Sequence, residues 1–421
     1  MSSPSPPAAS SPSSSTIRRI AIKVPCSTSN LGPGFDVLGI ALSLFLKVSA
    51  SLQTTPPPPP DAPITITYTG DLPHTVPLEV DRNLITKVAL YVAVANNASL
   101  PPGLQIHIDN PIPLGRGLGS SGAAVVAGAL LANAACGLNL SRERLLDYCL
   151  AIEGHPDNVT ASLMGGFCAG YLRHNIEDVV PDNLEQLVVQ AWRRKRQNSQ
   201  SHIQGLPLSS TSPSSSDAQS SSKSIENGTS PSPVPTQLPL NPPHNLGTHI
   251  RLPISPDVRP IACIPAFEVS TKLARKVLPT SYSRPDVVFN LQRLAVLVHA
   301  LGATPPSPQT VSECMHDRVH QHYRQHLVPG LPEILALTPE TTPGLLGICQ
   351  SGAGPTVLAF AAPDAGERVG EAVCAIWRRQ KAPEKGAPDG IECRWISLEV
   401  VEEPAECRVW EEVVGGDAEK R

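Results

Sequence analysis

The pattern of apolar and polar positions predicts strands in the first part of the chain. Residues 17–52 hold two long apolar stretches on either side of Gly32-Pro33-Gly34, which predicts two strands joined by a turn. The segment 64–70, ITITYTG, alternates as a half-buried strand does. Residues 104–108, LQIHI, predict a further strand, from which a loop punctuated by prolines leads to a glycine-rich segment.

Helices are predicted where apolar residues recur every three or four positions. Residues 81–97 have this spacing, with Asp81 as the expected N-cap, and so do residues 141–154, with Ser141 as the N-cap. The apolar run 122–138 is too short and too rich in Ala and Gly for a membrane span. We therefore expect it to form a buried helix that begins at the glycine-rich segment.

The composition changes sharply in the middle of the chain. Residues 197–245 are dominated by Ser, Pro, Gln and Asn, and too few apolar residues remain there to offset the entropy of ordering the chain. Strand and helix patterns resume afterwards, so the sequence predicts an α+β protein of two domains. The expected segments are a disordered tail over 1–16, a first domain over 17–192, a disordered low-complexity insertion over 193–248 and a second domain over 249–415.

Composition and charge exclude several classes of partner. The formal net charge is -4, which gives no long-range attraction to nucleic acid or to an anionic membrane, so neither is expected as a partner. The ten cysteines are scattered without a CxxC pair, which indicates reduced thiols rather than a disulfide framework or structural zinc. Residues 1–16 contain no apolar run, so no secretory signal is predicted and we expect a cytoplasmic protein.

The glycine-rich segment Gly117–Gly122, GLGSSG, matches GxGxxG. A dinucleotide-binding loop needs a strand that runs directly into the glycines and an acid at the end of the next strand, roughly 20 residues on. Here a proline-punctuated loop precedes the glycines, and Glu143 lies in the first turn of a predicted helix, so NAD binding is a distant alternative. A Walker A loop is excluded because no GK[ST] follows. Glycines that open a helix can bind an anion, although the spacing alone is equally compatible with a flexible loop capping a core helix.

Two other segments have residue types suited to a binding site. In SNLGPGFDVLG, Asn30 and Asp36 flank a turn and could bind a small hydroxylated or amino-bearing molecule, or could merely cap backbone groups. In GICQSGAGPTVLAF, the turn Ser351–Pro355 separates two apolar stretches, and its glycines allow another loop to approach closely. Each segment is weak evidence by itself.

Taken together with PIPLGRGLGSSGAAVVAGALL, these segments resemble the three signature motifs of the GHMP small-molecule kinases. Within that superfamily, VPCSTSNLGPGFDVLGIALSL, EGHPDNVTASLMGGF, VSTKLARKVLP and HQHYRQHLVPGLPE are similar to segments of homoserine kinases, in a fungal-like form with a low-complexity insertion. The resemblance covers residues 17–192 and 251–361. It implies a two-domain GHMP kinase fold, with an N-terminal ribosomal S5 domain 2-like domain and a C-terminal ferredoxin-like domain.

The resemblance also implies an activity, namely ATP-dependent phosphorylation of the side-chain hydroxyl of L-homoserine to O-phospho-L-homoserine in threonine biosynthesis. ATP is then a co-substrate with Mg²⁺, which is expected on Ser121 and Glu153, with Asp147 on the same helix as the alternative acid. The ATP phosphates are expected on the following residues of the first motif: Pro111, Ile112, Pro113, Leu114, Gly115, Arg116, Gly117, Leu118, Gly119, Ser120 and Ser121.

The acceptor substrate is expected in a separate set of positions. By the resemblance, the amino-acid pocket comprises Asn30, Asp36, His155, Asn158, Thr271, Arg275 and Arg324. The third-motif loop contributes Ser351, Gly352 and Gly354. Asp157 is the candidate base if the reaction uses one; without a base, Asp36 or Asn158 would only orient the hydroxyl.

Several alternatives stay open at this point. The chain could be another GHMP kinase that acts on a different small alcohol, or a non-catalytic nucleotide-binding regulator of the same fold. The cluster His316, His320, His322 and His326 suggests a metal, but no Cys or acid completes a set on the same face, so no metal is assigned there. The oligomeric state is open, with a homodimer as the candidate assembly.

Overall fold

The structure is a computed structural model that describes residues 15–204, 240–383 and 389–414, except for the side chains of 195–204. The strands are β1 (Ser15–Ser29), β2 (Leu38–Thr55), β3 (Thr65–Gly70), β4 (Gln105–Asn110), β5 (Phe167–Leu172), β6 (Gly247–Leu252), β7 (Arg259–Pro265), β8 (Leu345–Gln350), β9 (Val357–Ala361), β10 (Cys393–Ser397) and β11 (Glu406–Val414). The helices are α1 (Leu84–Ala95), α2 (Ser120–Ala135), α3 (Arg142–Glu153), α4 (Asp157–Met164), α5 (Ile176–Val179), α6 (Leu184–Gln204), α7 (Thr271–Lys276), α8 (Arg284–Gly302), α9 (Pro308–Cys314), α10 (Gln321–Arg324), α11 (Leu331–Leu335) and α12 (Gly366–Trp377), with a 3₁₀ turn at Gln325–Leu327. The predicted α+β class is confirmed.

The first sheet has seven strands, and the long strand β2 lies at its centre. The order is β11-β1-β2-β4-β3, while β5 pairs with the first residues of β2 and carries β6 beyond it. On β1, Ile20, Ile22 and Val24 alternate inward and are buried, and this strand packs against α2 and α4. The glycine-rich segment therefore opens a helix that is fixed to the centre of the sheet.

The second sheet has four antiparallel strands in the order β10-β7-β9-β8. Numbered within this half, the order is 4-1-3-2 with helices between the first and second and between the third and fourth strands, which is the ferredoxin-like arrangement that the motifs predicted. Helix α12 covers the sheet with Trp377, which is 0% exposed and whose indole N–H donates to the Pro329 carbonyl at 3.1 Å. Among the described helices, none is both long enough and apolar enough to cross a bilayer.

The two sheets do not divide the chain where the sequence predicted. Strand β11, close to the end of the described chain, returns to the first sheet and pairs along β1 from Ser15 with Val414 to Lys23 with Glu406. Strand β6 also belongs to the first sheet, although it overlaps the predicted second domain. Residues 15 and 16 of the predicted tail belong to β1, which begins at Ser15, and residues 1–14 lie outside the described part of the chain.

Both ends of the predicted insertion, 193–248, differ from the structure. Residues 193–204 continue α6, and the returning residues 240–248 pack on α3 and enter β6. The buried carboxylate of Asp147 fixes this return: Oδ1 accepts from the Leu246 N–H at 2.8 Å and Oδ2 from the Asn245 N–H at 3.2 Å. Composition could not reveal that one carboxylate satisfies these backbone donors. Residues 205–239 lie outside the described part of the chain.

Helix capping was predicted correctly at one helix and wrongly at another. Ser141 caps α3, accepting from the Arg144 N–H at 3.2 Å. The predicted cap of α1, Asp81, is wrong: Asn83 takes that position and accepts from the Ile85 N–H at 3.1 Å. Both residue types are favourable N-caps, and the helix begins two residues later than its apolar spacing suggested.

Asp147→Asn is expected to destabilise the fold. The change removes the charge that pairs with Arg144 and turns one acceptor into a donor facing a backbone N–H, so the free energy of unfolding should fall by about 3 kcal/mol. Urea denaturation measures this. The control is Glu143→Gln at an exposed position of the same helix, which should cost less than about 1 kcal/mol. Equal effects of the two changes would show that Asp147 does not anchor the returning chain.

Candidate active site

The three motifs meet in one cleft of about 660 Å³ between the two sheets. Its lining includes most of the residues singled out in the sequence together with several that were not. The lining residues are Ser29, Asn30, Phe35, Asp36, Pro113, Gly115, Arg116, Gly117, Gly119, Ser120, Ser121, Gly122, Glu153, His155, Asp157, Asn158, Thr271, Arg275, Arg324, Gly352 and Ala353.

The glycine-rich loop turns its carbonyl groups towards the protein. The carbonyls of residues 115–118 accept, in order, from the Val269 N–H, the Thr356 N–H, the Ser351 hydroxyl and the Ser27 N–H. Gly115, Gly117 and Gly119 all have positive φ, of 65°, 83° and 65°, and this alternation makes successive N–H groups converge on one side. The loop therefore presents N–H groups, not carbonyls, to the cleft.

Helix α2 adds the donors of its first turn. The first intrahelical bond is made by the Ala123 N–H to the Gly119 carbonyl, so the N–H groups of residues 120–122 have no acceptor within the helix. Gly119 stands at the cap with no side chain, and the first turn holds no acidic residue. With the positive end of the helix dipole, this is an anion-binding arrangement.

The third motif holds this loop in place. The Ser351 hydroxyl donates to the Gly117 carbonyl at 2.6 Å and lies 2.8 Å from the Thr28 hydroxyl. A Cβ at Gly117 would overlap the Ser351 carbonyl oxygen, which explains the glycine. Ser351 is buried and Gly354 packs on Gln350, so of the predicted third-motif residues only Gly352 lines the cleft.

Not all predicted residues of the first motif face the cleft. Ile112 and Leu118 are 0% exposed in the core, and Pro111 and Leu114 are absent from the lining. Asp71, which the sequence reasoning missed, anchors this part: its Oδ2 accepts from the Leu114 N–H at 2.8 Å and from the Arg116 guanidinium at 3.3 Å. A lone acid 43 residues before Leu114 carried no signal in the sequence.

The second motif is a left-handed turn. Asn30, Leu31 and Gly32 have φ values of 73°, 48° and 75°, and Asp36 has 55°. Asn30 holds the turn together, since its Oδ1 accepts from the Asp36 N–H at 3.0 Å and its Nδ2 donates to the Gly352 carbonyl at 3.0 Å. Backbone conformations of this kind cost energy in non-glycine residues and cluster at functional sites.

The two arginines of the predicted amino-acid pocket have different surroundings. Arg275 is paired in a bidentate manner with Asp36, Nη2 to Oδ1 at 2.8 Å and Nη1 to Oδ2 at 3.1 Å. Arg324 is 2% exposed, and no carboxylate of the described residues lies within 4.0 Å of it. Burial, together with the charge of Arg275, lowers the pKa of Arg324 to about 10, so it is still charged at neutral pH.

An acid and base cluster forms the wall beside them. Burial alone would lower the pKa of His155, but Asp157, Glu153 and Asp36 together raise it to about 9. Nδ1 of His155 lies 2.5 Å from Oδ1 of Asp157, and Nε2 lies 3.8 Å from Oε1 of Glu153. His155 is therefore a cation at neutral pH.

The carboxylates of this cluster differ in state. Burial alone would raise the pKa of Asp157, but His155 and the Asn158 N–H lower it below its usual value. For Glu153, burial raises the pKa and outweighs the opposing effect of His155. Asp36, His155 and Asp157 place ligand atoms within 4.8 Å of one another, but each is already engaged, Asp36 with Arg275 and Asp157 with His155.

Asn158 is locked by two serines. Its Nδ2 donates to the Ser29 hydroxyl and its Oδ1 accepts from the Ser27 hydroxyl, both at 3.0 Å. Ser29 and Phe35 line the cleft and were not singled out, although both lie within the motif SNLGPGFDVLG. Asp147, the alternative acid for Mg²⁺, is not part of the cleft lining, because it is bound to the returning residues 245 and 246.

Comparisons with known proteins agree with the motifs. A family model described as GHMP kinases N terminal domain matches residues 83–166. The homoserine kinase of Saccharomyces cerevisiae is 45% identical, covering 91% of this chain and 97% of the yeast protein. The homoserine kinase of Schizosaccharomyces pombe is 42% identical, covering 91% of this chain and 96% of that protein.

Solved structures share the fold. A homoserine kinase from Cytophaga hutchinsonii superposes with a TM-score of 0.63 at 20% identity, covering 93% of this chain and 97% of that one. L. major mevalonate kinase superposes with a TM-score of 0.52 at 13% identity, covering 94% and 97%. At such identities the likeness shows the fold alone, and it confirms the predicted GHMP kinase architecture.

The pair of His155 and Asp157 predicts how stability depends on pH. The folded pKa of His155, about 9, lies above its ordinary value of 6.5. The contribution of His155 to the free energy of unfolding is therefore complete below pH 6.5 and is lost as the pH rises to 9. The loss is about 3 kcal/mol. Asp157 has a lowered pKa, so its own contribution is lost only in acid, below its usual range.

The measurement is the free energy of unfolding of the wild type and of His155→Gln between pH 6 and 9. The difference between the two proteins should shrink as the pH rises. A difference that stays constant over this interval would contradict the ion pair.

Proposed function

The chain belongs to the homoserine kinase family of the GHMP kinases, and we propose that it transfers the γ-phosphoryl group of ATP to the side-chain hydroxyl of L-homoserine. The product is O-phospho-L-homoserine, in threonine biosynthesis. One observation carries the proposal: an anion-binding loop and a pair of guanidinium groups with an acid open into the same cleft. Such a cleft can bring a polyphosphate and an amino acid together.

The phosphates of ATP would lie on the first motif. Phosphate oxygens accept hydrogen bonds, and the loop presents N–H groups while its carbonyls are occupied elsewhere. The start of α2 adds further donors and a favourable dipole. Within the predicted segment, Gly115–Gly117 and Gly119–Ser121 supply the contacts, and Ile112 and Leu118 hold the loop to the core.

The charged end of homoserine would lie among Asp36, Arg275 and Arg324. Asp36 offers a carboxylate to the substrate ammonium, and Arg324 offers its unpaired guanidinium edge to the substrate carboxylate. When the ammonium shares Asp36, Arg275 is released from its bidentate pair and becomes available to the same carboxylate. Asn30, His155 and Thr271 complete the pocket around this end.

The residues present fit Mg²⁺. This ion prefers oxygen ligands, and the Ser121 hydroxyl and Glu153 carboxylate both line the cleft. Burial raises the pKa of Glu153, so a nearby cation would stabilise its ionised form. When bound, Mg²⁺ would neutralise phosphate charge. Because Asp147 is not among the residues that line the cleft, Glu153 is the acid in this proposal.

Catalysis by this chain would rest on position and charge. Phosphoryl transfer passes through a loose transition state that needs little help from a base. Asp157 is poorly suited as a base. Its lowered pKa makes the carboxylate a weak proton acceptor, and its Oδ1 is already bound to His155 and to the Asn158 N–H. Its role in the proposal is to hold His155 and, with the serines, Asn158 at the acceptor hydroxyl. The homodimer stays a prediction.

A substrate screen tests the activity. The purified protein is mixed with Mg-ATP and homoserine, mevalonate or galactose, and the release of ADP is followed. Only homoserine should raise the rate clearly above the background. Turnover of mevalonate or galactose alone would indicate a different GHMP kinase, and a protein that binds ATP but turns over none of them would indicate a non-catalytic regulator.

Glu153→Gln and Asp147→Asn separate the two candidate acids for Mg²⁺. Glu153→Gln should lower kcat by at least about tenfold and raise the Mg²⁺ concentration needed for half-maximal rate, because one anionic ligand is lost. Asp147→Asn should leave both quantities close to wild type at a temperature at which the variant is folded. The reverse ranking would return the role to Asp147.

A further inference from the structure

The guanidinium of Arg324 is only partly used by the protein. Nε donates to the Ala274 carbonyl at 3.0 Å, and Nη1 donates to the Gly352 carbonyl at 3.0 Å and to Nδ1 of His320 at 3.2 Å. A guanidinium has five N–H donors, and no described residue accepts from the two on Nη2. Since Arg324 lines the cleft, these two are left for a ligand.

The tautomer of His320 follows from its two contacts. Nε2 lies 2.8 Å from the Gly32 carbonyl, which can only accept, so Nε2 carries the proton. Nδ1 receives an N–H of Arg324 and therefore carries none. The ring is 0% exposed, and its burial lowers its pKa against the opposing charge of Asp317, whose Oδ2 lies 3.7 Å from Nε2. The neutral ring is thus a donor on one side and an acceptor on the other.

His320 also contacts the turn of the second motif. Its ring stacks on Phe35 with 5.3 Å between the centroids and 26° between the planes. Its acceptor Gly32 lies so close to the backbone of Met315 that a Cβ would overlap the Met315 carbonyl. The same ring therefore sets the position of Arg324 and of the turn that carries Asn30 and Asp36.

We propose that His320 is a positioning residue for the substrate carboxylate: it holds Nη1 of Arg324 so that both N–H groups of Nη2 face the amino-acid end of the cleft. The inference rests on the proposed function. Its consequence is selectivity, because an amino alcohol without a carboxylate gains nothing from an oriented Arg324. Loss of the acceptor Nδ1 should therefore lower kcat/KM more for homoserine than for 3-aminopropan-1-ol, which is homoserine with the carboxylate replaced by hydrogen.

Two variants of similar size isolate the acceptor. His320→Asn puts an amide oxygen close to the place of Nδ1, whereas His320→Leu offers no acceptor; both lose the bond to Gly32. His320→Leu should raise the KM for homoserine about tenfold and change the KM for ATP less than about twofold. The ratio of kcat/KM for homoserine to that for 3-aminopropan-1-ol should fall in His320→Leu and be largely kept in His320→Asn. The control is His326→Leu, at an exposed position, which should match the wild type.

A second arm tests the route through Arg324. If His320 acts by positioning that side chain, His320→Leu should add little to the KM increase caused by Arg324→Met, whereas independent roles would add. Thermal unfolding checks that each variant is folded. If His320→Leu does not fold, His320→Gln replaces it, since its longer amide keeps a donor near Gly32 but moves the acceptor away from Arg324.

The outcomes separate the two claims. A wild type without homoserine turnover contradicts the proposed function. The positioning role alone is contradicted if the wild type turns over homoserine but His320→Asn and His320→Leu behave alike. It is also contradicted if these variants lower kcat/KM equally for homoserine and for 3-aminopropan-1-ol. The positioning role is supported if the kcat/KM ratio falls in His320→Leu and is largely kept in His320→Asn. It is further supported if the KM increases of His320→Leu and Arg324→Met do not add.

Discussion

The carbonyl oxygen of Gly352 is the point on which the geometry of the cleft depends. It accepts from Nδ2 of Asn30 and from Nη1 of Arg324, each at 3.0 Å, and so ties the turn of the first sheet to the buried arginine of the second half. The Gly352 N–H donates to the Ser29 carbonyl, and the neighbouring Ser351 hydroxyl donates to the glycine loop. The third motif, weak evidence by itself, joins the other two motifs to Arg324. Together with the bonds from Val269 to Gly115 and from Arg275 to Asp36, this turn holds the anion-binding loop and the guanidinium groups around one cleft.

Local pattern predicted most of the fold, because its signals are local. Alternation located the strands, and Ser141 located the start of a helix. The predictions failed where one side chain serves a distant segment. Asp147 accepts from the backbone of the returning residues 245 and 246, and Asp71 accepts from the backbone of Leu114 beside the glycine loop. Neither acid stands in a pattern that sequence can show, since a buried hydrogen bond across many residues leaves no periodicity.

The sequence could predict which residues form the site, but not their protonation or their ion-pair partners. The motifs brought Asp157 forward as an acid that could act as a base, yet its neighbours hold its pKa low. They placed Arg275 and Arg324 together in the amino-acid pocket, yet Arg275 is paired with Asp36 whereas Arg324 has no carboxylate partner among the described residues. Protonation and pairing follow from burial and from charges on other elements, and these exist only after the chain is folded. The role of His320 was hidden for the same reason, because four nearby histidines in the sequence suggest a metal more readily than an acceptor for arginine.

The contrast between the two arginines explains how a cleft with few exposed charges could select an amino acid. Arg275 is partly exposed and already paired with Asp36. A substrate carboxylate therefore gains little binding free energy from it, because it must replace an existing ion pair that is screened by water. Arg324 is buried, keeps its charge, and is stabilised by carbonyls and a neutral imidazole rather than by a carboxylate. The desolvation of its guanidinium occurs during folding, before any ligand arrives, so a carboxylate that reaches Nη2 meets an oriented cation whose desolvation cost is already met. Specificity for an anionic group then follows from the neutrality of His320 as much as from the charge of Arg324.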